Sequence, residues 1–202
     1  MRILLTAFEA YDDWKENSSW LALVELLKAT PEEIDLVTRL YPVDLHAMQE
    51  RLVTDLQSEF DAVLHLGQSP GLSSIKLEKI ALNVAGCIDD QGEELPQLIQ
   101  DGPTAFRSQM PLGNWAALLR ENEIPAKVSY HAGTFLCNAT MYLSHYYSSE
   151  LDKPPPVGFI HLPLTTEQVA RANSTSASLP TTVLAKSIRM LLTELAAAPT
   201  DE

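Results

Sequence analysis

Short uninterrupted apolar runs alternate along this chain with stretches whose apolar residues recur every three or four positions. Residues Arg2 to Thr6 read as a short buried strand, and Ser18 and Ser19 as a cap before an apolar-striped helix, Trp20 to Leu27. Ile34 to Val43 reads as a second strand ended near Pro42, and His46 to Phe60 as a helix carried by Met48, Leu52, Leu56 and Phe60. The run Asp61 to Gly67 is the pattern of a strand covered on both faces. Strand alternating with helix predicts α/β layers. Further along, Ile75 to Val84 reads as a strand, Gly86 to about Gln109 as a polar loop, Gly113 to Asn122 as a helix and Lys127 to Tyr130 as a strand. Leu136 to Tyr147 reads as a helix, Val157 to Pro163 as a buried strand, Thr165 to Ser178 as a Thr/Ser-rich loop, and Thr181 to Ala197 as a last helix. With no internal repeat and no linker, the 202 residues are expected to form a single domain, 1–202.

Composition narrows the partners. The chain holds 27 acidic and 14 basic residues, a formal net charge of −13. A surface so acidic repels nucleic acid and anionic lipid, which need clustered Lys and Arg. No apolar run approaches the roughly 20 residues that span a bilayer, and the opening residues lack the pattern of a signal peptide. A soluble, cytoplasmic protein is the expectation. Two cysteines, Cys87 and Cys137, are too few for a disulfide framework, a zinc ribbon or an iron–sulfur cluster.

Three positions break the pattern. From Ile75 to Val84 the alternation of apolar residues slips at Glu78-Lys79. Either a bulge re-aims Glu78, or a carboxylate is held among apolar neighbours, or this is an edge strand with Lys76, Glu78 and Lys79 in water. Cys137 follows the glycine turn His131 to Leu136 and sits near a helix N-terminus, where the thiolate is favoured; the competing reading is a small buried hydrophobe. His161 is a titratable ring inside the apolar run Val157 to Leu164, near a strand end where α/β proteins build sites; the competing reading is a bonded core histidine. His145, eight residues along the helix from Cys137, is roughly 12 Å from it and out of reach. Periodicity does not choose among His65, His131 and His161. A thiol, an imidazole and a carboxylate are the parts of nucleophilic acyl transfer.

Four stretches resemble the pyroglutamyl peptidase I family of cysteine peptidases, in family order and spacing. They are Ile3 to Tyr11 continuing to Asn17-Ser18-Ser19-Trp20; Gly67-Gln68-Ser69-Pro70-Gly71 with Glu78 to Asn83; Ser129 to Asn138; and Gly158 to Pro163. The resemblance implies a three-layer α/β/α sandwich with a twisted, mostly parallel (mixed) sheet. It makes Cys137 the nucleophile, His161 the base and Glu78 the orienting carboxylate. It further implies Phe8 and Tyr11 as aromatic walls for a 5-oxoproline ring, Asn17 and Gln68 as polar positions near the site, and Ile88 as an apolar wall. The substrates implied are peptides with an N-terminal pyroglutamate, with no metal or other cofactor, and the assembly a homotetramer. Backbone N–H groups at the start of the Cys137 helix are the expected oxyanion donors.

The chain departs from the family in its N-terminal loop, where Ala10 replaces proline, Tyr11 phenylalanine, and Asp12-Asp13 two glycines. Aspartates restrict the backbone where glycines free it, so this loop is expected to take another path. The segment Val84 to Asp90 is two residues shorter than the family's and lacks its arginine. Two other readings compete: a cysteine amidohydrolase acting on another cyclic or blocked amide, and a non-catalytic binding protein on the same scaffold. The run Gly67 to Gly71 lacks the lysine and spacing of a phosphate loop.

Overall fold

The apolar runs become strands because β-branched and leucine side chains can be buried on both faces of one layer. The computed structural model describes residues 1–31, 33–87 and 94–197. In chain order its elements are β1 (Arg2–Phe8), α1 (Ser18–Leu26), β2 (Asp35–Tyr41), α2 (Leu45–Asp55), β3 (Ala62–Gln68), β4 (Ile75–Glu78), β5 (Ile80–Leu82) and β6 (Ala105–Arg107). There follow α3 (Leu112–Glu121), β7 (Ala126–Ser129), α4 (Leu136–Ser148), β8 (Val157–Leu162), β9 (Leu164–Thr165), α5 (Thr166–Arg171), β10 (Ser178–Leu179) and α6 (Thr181–Ala197).

Six strands form the central sheet in the order β2-β1-β3-β8-β4-β7. The first four run parallel, β4 is antiparallel to β8, and β7 is parallel to β4. The expected mixed, mostly parallel sheet is therefore present. One face packs against α1, α3 and α6 through Leu23, Trp115, Ile188 and Leu192; the other packs against α2 and α4 through Met48, Leu52, Met141 and Tyr142. These are the three layers the resemblance implied. Among the described residues no helix is long and apolar enough to cross a membrane.

Several boundaries differ from the sequence reading. The expected strand Ile75 to Val84 is two strands in two sheets: β4 lies in the central sheet, and β5 pairs with β6 instead. The phase slip at Glu78-Lys79 marks this change of sheet, so neither a bulge nor a continuous edge strand is formed. The polar stretch after Gly86 contains β6, and its described part is tied down by Asn83, whose side chain donates to the Ile99 carbonyl and accepts from the Ile99 N–H. The helix expected to reach Phe60 stops at Asp55, because Leu56 and Phe60 pack into the same apolar cluster from a turn. Asn17, not Ser18 or Ser19, caps α1, its side chain accepting from the Ser19 N–H at 3.0 Å. The expected loop Thr165 to Ser178 includes α5, started by a capping box in which Thr165 and Gln168 bond each other's backbone N–H.

Candidate active site

Gly67 is where the site is assembled. It is the last residue but one of the fully buried strand β3, and a Cβ placed on it would lie 2.7 Å from Cζ of Phe159 and 3.0 Å from Sγ of Cys137. The first is closer than a Cβ tolerates and the second would push the sulfur by a few tenths of an ångström, so glycine leaves Phe159 and the Cys137 sulfur room to settle onto the sheet. The sulfur arrives there as the second residue of α4. The N-cap residue Phe135 provides no side-chain hydrogen bond to the first turn, which leaves that helix end to other acceptors.

His161 stands beside Gly67 in the register of β3 and β8. Its Nδ1 is 2.8 Å from Oε1 of Glu78, and the Cys137 thiol is within hydrogen-bonding reach of the ring. Glu78 has no exposed surface, and His161 only 7%. Burial opposes charge on this ring, yet the Cys137 sulfur and the Glu78 carboxylate outweigh it and raise its pKa to about 9. The ring of Phe159 packs against the imidazole with centroids 4.9 Å apart, fixing its plane from below.

The other histidines occupy other settings. His65 is fully buried, with Nδ1 2.7 Å from the Thr6 hydroxyl and Nε2 2.7 Å from the Ser144 hydroxyl. Burial lowers its pKa to about 3, so it is a neutral core residue. His131 is exposed, with Nδ1 accepting from the Gly133 N–H. His145 stacks on Phe106, far along α4. Of the three histidines that spacing left open, His161 is the one beside the Cys137 sulfur and the Glu78 carboxylate. Cys87 is half-buried, and burial pushes its thiol pKa up.

Next to the sulfur lies a cavity of about 150 Å³ lined by Phe8, Tyr11, Asn17, Gln68, Phe135 and Leu136, with Cys137 and His161 at its wall. Phe8 is held edge-on to Tyr41 and tilted against Phe159. The Tyr11 hydroxyl donates to the backbone carbonyl of Gln68 at 3.2 Å; burial, then the nearby Cys137 sulfur, pushes its pKa up to about 12. Asp12 adopts a left-handed φ of 56°, the conformation that a glycine would supply freely. Ile88 lies outside the described residues.

Asn17 and Gln68 hold the cavity wall. Asn17 donates to the Glu9 carbonyl while capping α1, and Gln68 Oε1 accepts from the Ser18 N–H and from Nε2 of Gln168. Gln168 also donates to the Glu16 carbonyl, so α5 pins the loop between β1 and α1. The sequence reading missed Gln168. Its signal was the Thr165-x-x-Gln168 spacing of a capping box, hidden in a stretch read as loop.

Comparison with known proteins places the chain in a family. The pyroglutamyl peptidase family matches residues 1–198. The pyrrolidone-carboxylate peptidase of Coprothermobacter proteolyticus is 36% identical over 196 residues, covering 94% of each chain. That of Pyrococcus furiosus is 33% identical over 174 residues, covering 84% of each. The crystal structure of the pyrrolidone carboxyl peptidase from Fervidobacterium islandicum superposes with a TM-score of 0.88 at 32% identity, covering 96% of this chain and 98% of that one. The chain belongs to the pyroglutamyl peptidase family.

Proposed function

We propose that this member of the pyroglutamyl peptidase family is a hydrolase that removes an N-terminal 5-oxoproline residue from peptides, with Cys137, His161 and Glu78 as its catalytic groups. The family match and the named relatives support the activity. The observation that carries the residue roles is the buried Glu78–His161 pair adjoining the Cys137 thiol at the cavity wall.

The chemistry follows from that arrangement. Glu78 accepts from Nδ1 of His161, which leaves Nε2 to take the proton of the thiol. The sulfur attacks the carbonyl carbon of the pyroglutamyl residue. The negative oxygen that develops is met by backbone N–H groups of the first turn of α4, preorganised and lacking a side-chain cap. His161 then gives its proton to the leaving amine. Water, deprotonated by the same ring, hydrolyses the thioester and releases 5-oxoproline. Side chains and water suffice; no step calls on a metal or an organic cofactor.

The cavity suits the ring that would fill it. Its methylenes meet the faces of Phe8 and Tyr11, while the lactam C=O accepts from Nε2 of Gln68, which has no partner among the described residues, and the lactam N–H donates to the Tyr11 hydroxyl oxygen. An unpartnered lactam group there would cost about 1–3 kcal/mol. Among the described residues the cavity wall presents no carboxylate to receive the charged amine of an ordinary N-terminus.

Residues 1–202 act as one catalytic domain in this reading, in the cytoplasm and as a homotetramer, the last two resting on family resemblance alone. The test is release of a chromophore from a pyroglutamyl amide compared with prolyl and acetyl-aminoacyl amides. The pyroglutamyl reporter is expected to be cleaved and the others spared. Cleavage of only the others would favour a different amidohydrolase, and cleavage of none a binding protein.

A further inference from the structure

The strand register places a row of side chains across the sheet that begins at the nucleophile and runs away from the ring cavity. Gly67, under the Cys137 sulfur, is paired with His161 across β3 and β8. His161 is in turn paired with Lys76 across β8 and β4, and Lys76 with Lys127 across β4 and β7. Cross-strand partners project from the same face of a sheet. This face therefore presents, in sequence, a sulfur, an imidazole and two ammonium groups at successive strand spacings of about 4.8 Å.

Neither lysine is neutralised: among the described residues no ion pair involves Lys76 or Lys127, in contrast to Lys28, which bonds Glu25. Lys76 is half-buried and Lys127 exposed. Two adjacent unpaired cations are conspicuous in a chain whose net charge is −13.

The direction of the substrate makes this row meaningful. The ring cavity is built around Phe8 of β1, on the far side of β3 from β8. His161 must reach the leaving amine, so the departing peptide starts over His161 and continues toward β4 and β7. An extended chain advances about 3.3 Å per residue, so its first and second residues beyond the cleaved bond pass Lys76 and come within side-chain reach of Lys127.

We propose that Lys76, backed by Lys127, forms a carboxylate subsite for the departing peptide. It selects an acidic residue directly after the cleaved bond, or the terminal carboxylate of a peptide only two or three residues long. This inference rests on the peptidase reading above and adds which peptides are preferred.

Four substrates test it: pyroglutamyl-glutamyl-alanine amide against its glutamine isostere, and pyroglutamyl-alanine as free acid against its amide. The first of each pair is expected to have the higher kcat/KM, by about five- to twentyfold at low salt, for an ammonium and a carboxylate meeting near the surface. The ratio should decline toward one as added salt screens the charges. Lys76→Gln should remove most of the preference, Lys127→Gln part of it, and Lys76→Glu should reverse it, whereas Lys76→Arg should retain it. Equal turnover of both members of each pair by the wild-type protein overturns the proposal while leaving the peptidase reading in place. A preference that survives in the Lys76→Gln, Lys127→Gln double variant also overturns it. Failure to cleave any of the four removes the proposal together with the reading beneath it.

Discussion

Nδ1 of His161 lies 2.8 Å from a carboxylate oxygen of Glu78 that no solvent reaches. The two residues are 83 positions apart in sequence and sit on adjacent antiparallel strands. The contact engages Nδ1 and, in the proposed mechanism, leaves the other nitrogen for the sulfur. Glu78→Gln keeps the volume but offers an amide where a charge stood. Pyroglutamyl amide hydrolysis should fall by about 10²-fold in kcat, with KM little changed, because orientation rather than binding is lost. Steady-state kinetics check this, and a large rise in KM at constant kcat would contradict it.

The raised pKa of His161 has a consequence for the pH profile. In the proposed mechanism the ring serves as acid to the leaving amine, so activity needs its proton. Its pKa is raised to about 9, the Cys137 sulfur and Glu78 outweighing burial, so kcat/KM should hold through neutral pH and fall as pH rises past about 9. Glu78→Gln removes one of the groups that raise it, so the falling limb should move to lower pH. In stability the sign is the same: the ring's contribution is fully present below its unfolded pKa of about 6.5 and is lost as pH rises through about 9.

His65 predicts the opposite dependence at low pH. Burial holds its folded pKa down to about 3, so the unfolded chain binds its proton more readily. Stability should fall as pH drops below about 6.5, by about 2 kcal/mol from this residue at pH 5. Urea unfolding at pH 7 and pH 5 measures the loss, and substituting His65 by glutamine should reduce the difference between the two.

Gly67 is held by space rather than by backbone conformation. A methyl group there meets Phe159 at 2.7 Å and the Cys137 sulfur at 3.0 Å. Gly67→Ala should destabilise the fold by about 1–3 kcal/mol and displace the sulfur from the ring. Thermal unfolding and kcat should therefore fall together; a stable variant with unchanged kcat would contradict the packing described.

Much of this was legible in the residues, and the limits have physical causes. The slip of alternation at Glu78-Lys79 was visible, but its meaning, a chain changing sheets, depends on a partner strand at Ala105–Arg107 hidden in a polar stretch. The glycine turn before Cys137 pointed to a helix end. Nothing in spacing separated His161 from His65, since both are single rings in apolar strands. What separates them is the next layer: His65 meets two hydroxyls, His161 a carboxylate and a thiol. Asn17 and Gln68 were placed near the site by resemblance. Only the folded structure reveals that the Asn17 amide and the Gln68 side-chain oxygen are engaged in holding the loop and helix that frame it. Gln168 escaped notice because a six-residue helix leaves little periodic signal.

The central claim is that the Cys137 sulfur is the nucleophile. Hydrolysis of a pyroglutamyl amide by the wild-type protein and by Cys137→Ala, with thermal unfolding of both as a control on folding, tests it most directly. The arrangement predicts a folded variant whose turnover has dropped by at least about 10³-fold, Cys87 being unable to substitute. A folded Cys137→Ala protein that still hydrolyses the substrate at a comparable rate would contradict it.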